Sequence, residues 1–238
     1  MKKKHLLGVI AVSFLVLTSG CGLFANGDGK AGTSNITIEK DKAKELKLEL
    51  NMGVGELTIE KGSAEWVEGT IDYSKKLKPE VSYKLKGDKG IGVIDQGNGK
   101  LDNFNLGEEK NKWSINLNDE IPTDLTVNSG ASETNLDLKG LILSGLEVNA
   151  GVGDITIDLG GNWTESFDVS LEMGVGKTTV ILPKEVGVKI ESSKGIGTAE
   201  FGDLLSKGDG VYVNEAYEDA DVIINLTTDL GIGEVVFK

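Results

Sequence analysis

Residues 149–157 read Asn-Ala-Gly-Val-Gly-Asp-Ile-Thr-Ile, and close copies of this stretch recur along the chain. Residues 51–59 read Asn-Met-Gly-Val-Gly-Glu-Leu-Thr-Ile, and residues 172–180 read Glu-Met-Gly-Val-Gly-Lys-Thr-Thr-Val. Looser copies begin at positions 89, 129, 194 and 230. The first glycines of four copies are Gly130, Gly151, Gly174 and Gly195, which lie 21, 23 and 21 residues apart. A nearly fixed spacing of this kind indicates a repeat architecture in which one unit stacks on the next.

Each copy predicts two short strands joined by a sharp corner. Apolar residues alternate with other residues before the corner, as at Phe167, Val169 and Leu171, and again after it at Val180 and Leu182. Alternation with period two is typical of a strand with one buried face, and glycine readily adopts the positive φ of a sharp corner. The predicted corner residues are Gly53, Gly55, Gly151, Gly153, Gly174, Gly176, Gly195, Gly197, Gly231 and Gly233. The predicted fold is therefore all-β: a single-stack, β-helix-like β-solenoid with rungs of about 21 residues.

Aligned columns of the repeat predict which side chains face the core. The residue between the two glycines is apolar in every copy and is expected to point inward as an aliphatic ladder. These residues are Val54, Ile91, Ala131, Val152, Val175, Ile196 and Ile232. The position after the second glycine is mostly polar and is expected to face solvent, where Lys177 and Asp154 would form a surface ion pair.

The last copy of the repeat, residues 230–237, is expected to form the terminal rung of the stack. A terminal rung leaves an open strand edge, at which another chain can pair. We therefore expect residues 235–237 either to pair with a second copy in a homodimer or to be covered by residues 202–228.

Residues 1–20 have the features of an export signal. Three lysines at positions 2–4 precede an apolar run over residues 6–17, which is too short to cross a bilayer and fits the core of a signal peptide. The following Thr-Ser-Gly-Cys resembles the end of a bacterial lipoprotein signal. Cleavage is expected between Gly20 and Cys21, with lipid attached to the Cys21 thiol. The alternative is a free Cys21 thiol after an ordinary signal peptide.

The exported chain is expected to be strongly acidic and held at the outer face of the cell membrane. Residues 21–34 are rich in small and polar residues, which suits a lipidated tether. The chain has 25 lysines and no arginine, and three of the lysines lie in the signal, so 22 lysines face 38 acidic residues and the mature net charge is −16. An acidic surface does not attract phosphate backbones, which excludes nucleic acid as a partner. Contact with the membrane is expected through the lipid on Cys21.

The amino-acid composition excludes most classes of catalytic site. The only histidine is His5, in the signal, and the only cysteine is Cys21. Without His, Arg or a free Cys, the mature chain lacks Ser-His-Asp and Cys-His sites, His/Cys zinc sites and arginine clamps, and no cofactor or metal is expected. Carboxylate-only chemistry remains, as in glycosidases. The candidate pairs are Asp219 with Asp221, Glu133 with Asp154, and Glu165 with Asp168, although charges on a solenoid face are most often only solvated.

Three tryptophans are the other residues that could contact a ligand. Trp66, Trp113 and Trp163 could stack on sugars if they are exposed, but packing in the core or in turns is the commoner role of isolated tryptophans.

The motifs resemble those of the toast-rack family of bacterial envelope lipoproteins and the related C-terminal β-solenoid domain of LiaF-type cell-wall-active-antibiotic response proteins. The N-terminal unit, residues 35–118, carries Gly-Val-Gly-Glu-Leu-Thr-Ile at 53–59 and Trp-Val-Glu-Gly at 66–69. The C-terminal repeats, residues 119–238, carry Asn-Ala-Gly-Val-Gly at 149–153 and Ile-Leu-Pro-Lys-Glu-Val-Gly at 181–187, a stretch that leads from one rung to the next in the family. The resemblance implies a β-solenoid at the cell envelope with little assigned chemistry.

Three functions follow as hypotheses. The leading one is a non-enzymatic envelope lipoprotein whose rigid solenoid surface binds a membrane protein or wall glycan, in envelope-stress signalling or adhesion. The second is a glycan hydrolase that uses two carboxylates about 5–10 Å apart in a groove. The third is a spacer that binds nothing. An exposed apolar or aromatic patch would distinguish a binding protein from a spacer.

Overall fold

The computed structural model describes residues 31–74, 77–97 and 111–238, which form 13 strands of one sheet and a 3-10 turn at Glu215–Glu218. The strands are β1 (Gly32–Ile38), β2 (Glu45–Lys61), β3 (Val67–Tyr73), β4 (Glu80–Lys86), β5 (Lys89–Asp95), β6 (Lys112–Leu117), β7 (Thr123–Asp137), β8 (Leu143–Asp158), β9 (Phe167–Ile181), β10 (Gly187–Glu200), β11 (Leu205–Gly208), β12 (Val211–Val213) and β13 (Ile223–Phe237). The predicted all-β, solenoid-like stack is confirmed. The predicted signal peptide, its cleavage site at Gly20 and Cys21, and the lipid on Cys21 lie outside the described residues.

Six long strands form the stack, and each bends at its Gly-aliphatic-Gly sequence or the equivalent residues. In β2, Leu50 and Met52 are buried before this sequence and Leu57 and Ile59 after it, so the buried alternation shifts by one residue. An extra residue of this kind bends a strand. Each long strand therefore has a first arm before the corner and a second arm after it, and the core lies between the arms.

The connections between rungs also require the bend. A straight strand of 15 residues would be about 50 Å long. However, β7 is joined to its parallel, in-register neighbour β8 by only five residues, which reach at most about 20 Å. The end of one strand and the start of the next can meet across so short a connection only because the strands are folded back on themselves.

The corner glycines are required by how closely the rungs stack. In β9, Gly176 has a φ of 146°, and a Cβ there would lie 1.8 Å from the carbonyl oxygen of Gly153 in β8. Gly174 lies outside the left-handed region, but its Cβ would still lie 2.5 Å from the carbonyl oxygen of Gly151. Gly53 has no such contact, because the nearest atom to a Cβ there is Oε1 of Gln96 at 3.5 Å. Most corner glycines therefore serve the contact between rungs as well as the turn itself.

The order of the rungs differs from the order of the repeats in the sequence. The long strands stack as β2-β7-β8-β9-β13-β10, all parallel and in register. The C-terminal strand β13 lies between β9 and β10, so the prediction that residues 235–237 form a terminal edge is wrong. The connection between β10 and β13 has 22 residues, which is long enough for the chain to cross back over β10. It can therefore place β13 between β9 and β10.

The strand at this end of the stack is β10, and the residues after it cover part of its outer side. The β11–β12 hairpin pairs with β10 over Lys189–Glu191, and the ring of Phe201 stacks on Tyr212 with the centroids 3.5 Å apart. The β11–β12 hairpin of the segment 202–228 therefore caps the first arm of β10, while the end of this segment, residues 223–228, belongs to the inner strand β13. Among the described residues, the second arm of β10 has no strand on its outer side, and a homodimer formed through this end would use that arm.

One predicted copy of the repeat is not a corner. Gly90 and Gly92 lie in β5, which pairs along the first arm of β2 with Gly92 opposite Leu48. A Cβ on Gly90 would lie 2.6 Å from the Tyr83 hydroxyl, and one on Gly92 would lie 2.8 Å from Cδ1 of Ile38. These glycines make room for neighbouring side chains, which is a second reason for the same sequence pattern.

The other end of the stack is closed on both arms. The second arm of β2 pairs with β6, which is followed by β3 and β1, and the first arm pairs with β5, which is followed by β4. Trp113 on β6 is fully buried in this layer, and its Nε1 donates to Oδ1 of Asn111 at 3.0 Å. The stack therefore has one closed end and one half-covered end.

Candidate functional site

The residues at the tips of the corners form an exposed aliphatic row, which we call the corner ridge. Its members are Val54, Ala131, Val152, Val175, Ile232 and Ile196, in register on successive strands. Four of them are large and exposed: Val152 by 52%, Val175 by 44%, Ile232 by 51% and Ile196 by 75%. The prediction that this column points inward is wrong. The corner places its central residue on the outside of the bend, while the residue before the first glycine and the residue two positions after the second one fill the inside, as Met52 and Leu57 do in β2.

A groove runs along the stack beside the ridge, on the side of the first arms. We call it the corner groove; its volume is about 1140 Å³. Asn51, Asn128, Asn149, Glu172 and Asp229 line it in one in-register column, and the other lining residues include Gln96, Val54 and Ala131. The groove therefore combines a polar column with the apolar start of the ridge.

The three asparagines of the groove are joined into a ladder of hydrogen bonds. Nδ2 of Asn149 donates to Oδ1 of Asn128 at 2.9 Å, and Nδ2 of Asn128 donates to Oδ1 of Asn51 at 2.7 Å. Nδ2 of Asn51 then donates to Oδ1 of Asp95 at 2.7 Å. All three amides donate in the same direction, so the ladder ends on the Asp95 carboxylate and begins at Asn149, which lies in register with Glu172 of the next strand. The aligned amides form a fixed polar wall.

Two carboxylates continue the same column beyond the ladder. Glu172 on β9 lies in register with Asn149 on one side and with Asp229 of β13 on the other, and both acidic residues are exposed. With Asp95, the groove has three acidic residues, and no lysine lines it. Sequence reasoning missed this site, although the column two positions before the first glycine, Asn-Asn-Asn-Glu-Asp in stacking order, carried the signal.

The carboxylate pairs predicted from sequence lie outside the groove. Glu133 and Asp154 are in register and exposed on the second arms of β7 and β8. Lys177, on the next strand, pairs with Glu234 of β13 at 3.0 Å, so the predicted ion pair with Asp154 is replaced by one on the other side. Asp219 and Asp221 follow the 3-10 turn, and Glu165 and Asp168 stand at the start of β9. The described residues contain no group of three or more potential metal ligands.

The tryptophans pack in the protein interior. Trp66 and Trp163 are each 8% exposed and Trp113 is fully buried, so none of the three forms a platform for stacking on sugars. Within residues 31–74, 77–97 and 111–238, no helix has the length and apolar character needed to cross a membrane.

A second cluster of polar residues surrounds Asp41 at the closed end of the stack. The carboxylate of Asp41 accepts hydrogen bonds from the Ala43 NH at 2.9 Å, Nε1 of Trp66 at 3.1 Å and the Tyr83 hydroxyl at 2.9 Å. Burial acts to raise the pKa of Asp41, but these three donors outweigh it and lower the pKa from 3.8. Burial and the nearby Asp41 raise the pKa of Tyr83 to about 12. The three donors of this cluster all find their acceptor in Asp41, which indicates a structural role.

This cluster predicts a loss of stability in acid. A carboxyl whose pKa is lowered on folding stabilises the native state above its unfolded pKa, and this contribution is lost as the pH falls below about 4. Asp41→Asn removes the charge while keeping the size, so the free energy of unfolding should be lower at neutral pH and should fall less steeply below pH 4 than in the wild type. Urea unfolding at a series of pH values measures both. Glu60→Gln, at an exposed position of β2, should follow the wild-type curve, and a wild-type slope for Asp41→Asn would contradict this role.

Two protein-family models match the chain, and together they cover residues 26–236. Residues 26–181 match the N-terminal domain of toast_rack, DUF2154. Residues 139–236 match the C-terminal domain of LiaF, the cell wall-active antibiotics response protein. Among curated proteins, no sequence matches the chain.

Solved structures similar to this chain come from more than one bacterium. A proposed cell adhesion protein from Clostridium sporogenes is 35% identical, with a TM-score of 0.85 over 88% of this chain and 99% of its own. A proposed adhesin from Bacteroides fragilis is 14% identical, with a TM-score of 0.33 over 89% of this chain and 98% of its own. The family matches and the Clostridium relative fit a non-catalytic protein of the cell envelope, with a role in envelope stress or adhesion. This chain belongs to the toast-rack family and is related to the LiaF C-terminal domain.

Proposed function

We propose that this protein is a lipid-anchored adhesion protein of the cell envelope, which holds its partner at the corner ridge and catalyses no reaction. The observation that carries the proposal is the exposed row of Val152, Val175, Ile232 and Ile196 on four successive strands. Large contiguous apolar patches on a protein surface commonly mark a site that contacts a partner. The Clostridium relative, itself a proposed cell adhesion protein, supports adhesion as the biological setting.

The fold suits a surface that must keep its shape. Every strand of the ridge, apart from β10, is paired in parallel on both sides, and most neighbouring rungs lie too close for a Cβ at the corner glycines. A partner therefore meets a row of side chains whose positions are fixed before binding. Preorganisation of this kind reduces the entropy lost on binding.

The lipid anchor is the part of the proposal that rests on sequence alone. Ten residues separate Cys21 from the first strand, which begins at Gly32. Ten extended residues reach about 35 Å. An anchor at Cys21 would thus hold the stack close to the outer face of the membrane, within reach of membrane proteins and of the wall. Incorporation of labelled palmitate into the wild type and its loss in Cys21→Ala would test the anchor separately.

Carboxylate-dependent glycan hydrolysis is a second candidate, because the groove does hold two carboxylates side by side. Glu172 and Asp229 lie on adjacent strands, which are about 4.8 Å apart. Both residues are exposed, whereas a general acid of this class is usually held in an apolar environment. Release of reducing ends from wall glycan by the wild type, and its loss in Glu172→Gln, would favour this candidate over adhesion.

Two matched double variants test the proposed binding surface. Val175→Glu with Ile232→Glu places charges on the ridge. Thr179→Glu with Val236→Glu places the same charges on the second arms of the same two strands, also in register. Membrane vesicles that carry the full lipidated chain would be tested for retention on immobilised envelope fractions. Vesicles with the ridge variant should lose at least tenfold of this retention, and vesicles with the second-arm variant should keep it. Equal retention of both variants, with both folded by circular dichroism, would contradict the proposal.

A further inference from the structure

We infer that the corner groove binds a linear glycan that bears free amino groups and lies across the rungs. The inference rests on the proposed function, because it takes the corner as the binding face, and it adds the chemical class of the ligand.

The charge of the groove selects for cationic groups. Asp95, Glu172 and Asp229 line it and no lysine does, so its formal charge is −3. Glu172 and Asp229 follow directly on Asn149, the residue at which the amide ladder begins. This part of the wall presents a side-chain carbonyl oxygen and two carboxylates, and carboxylates only accept hydrogen bonds. An ammonium group, which only donates, is complementary to such a wall in charge and in hydrogen bonding.

The direction of the groove favours a glycan over an extended peptide. The backbone NH and carbonyl groups of the inner rungs are used in parallel pairing with their neighbours. A ligand that crosses the rungs therefore finds side chains as its polar partners, and a peptide backbone would have no strand edge with which to pair. Asn51 and Asn149 use both Nδ2 protons within the wall, since each also donates to a second acceptor, Glu49 or Glu147. The ladder therefore offers a ligand mainly the remaining acceptor sites of its amide oxygens, to which sugar hydroxyls and ammonium groups can donate.

The dimensions and the second wall suit an oligosaccharide. The groove crosses six strands, from Asp95 on β5 to Asp229 on β13, which is about 24 Å at a strand spacing of about 4.8 Å. Polar groups recur at each spacing, so they can contact successive units of a polymer. Val54 and Ala131 line the groove on the side of the ridge and can cover the apolar C–H faces of sugar rings.

The experiment compares two hexasaccharides that differ only at nitrogen. Binding of a glucosamine hexamer and of an N-acetylglucosamine hexamer to the full chain in detergent micelles would be measured by calorimetry at about pH 6. We expect the glucosamine hexamer to bind at least tenfold more tightly. Glu172→Gln with Asp229→Asn should weaken its binding tenfold or more. Glu133→Gln with Asp154→Asn makes the same change of charge outside the groove and should leave binding unchanged.

Several results would overturn the inference. These are equal affinity for the acetylated hexamer, equal weakening by both double variants, tighter binding of an oligolysine peptide than of the glucosamine hexamer, or no binding of either sugar. The proposed function is tested separately. If the ridge variant Val175→Glu with Ile232→Glu loses retention on envelope fractions while no amino sugar binds, adhesion at the corner stands and the glycan assignment is wrong.

Discussion

Replacing Gly176 with alanine is expected to lower the free energy of unfolding by about 3 kcal/mol or more, which corresponds to a melting temperature roughly 6–12 °C lower. Gly176 has a φ of 146°, a conformation that side-chain-bearing residues rarely adopt. The new Cβ would also lie 1.8 Å from the carbonyl oxygen of Gly153, which is fixed in the neighbouring strand. Relief would require β8 and β9 to separate in the middle of the stack. Thermal and urea unfolding measure the effect.

The control for this prediction is Gly53→Ala. Gly53 is the first glycine of its corner and lies outside the left-handed region, and its Cβ would meet only the flexible side chain of Gln96, at 3.5 Å. We expect it to change stability by less than about 1 kcal/mol. If the two alanine variants lost similar stability, neither the positive φ nor the distance between rungs would be the reason for glycine at Gly176.

Replacing Phe237, the penultimate residue, with alanine is expected to cost about 3–5 kcal/mol. Phe237 is 1% exposed, lies in register with Val180 of β9 and stacks on Phe201 with the ring centroids 5.3 Å apart. The chain continues to pair beyond it, since the Lys238 NH donates to the Val180 carbonyl at 3.0 Å. The effect is large because β13 is an inner rung.

Val236→Ala is the matched control for Phe237→Ala. Val236 faces away from the core on the same strand, and its replacement should cost less than about 1 kcal/mol. Urea unfolding of both variants distinguishes an inner position of β13 in the stack from a terminal one. A small effect of Phe237→Ala would be the result expected of a frayed terminal strand, and it would contradict the stacking order β9-β13-β10.

Local pattern predicted the strands well and the stacking order poorly. The alternation around Val169 and Leu171 reports only which face of a strand is buried, and that prediction is confirmed. The copies in β9, β10 and β13 are so alike that each could stack on either of the others. Their order depends on the long connection before β13 and on the packing of Phe237, and neither contributes to the repeat spacing.

The bend at the corner explains why the residue between the glycines was wrongly predicted to be buried. It also explains part of why the groove was not predicted. An apolar residue in every copy suggests burial, but Val175 and Ile232 are apolar and exposed because the bend turns them outward. The phase shift between Met52 and Leu57 was readable in the sequence and would have indicated this. The ladder from Asn149 to Asp95 was harder to find, because Asp95 lies outside the repeated corners, and only the folded stack joins it to the column.

Photo-cross-linking from the ridge tests most directly the claim that the corner holds the partner. A photoreactive residue would replace Val175 in one version of the full lipidated chain and Thr179, on the second arm of the same strand, in another. On intact cells, we predict one dominant adduct from position 175, absent from position 179 and absent when Ile232→Glu is added. No adduct from position 175, or the same adducts from both positions, would contradict the account.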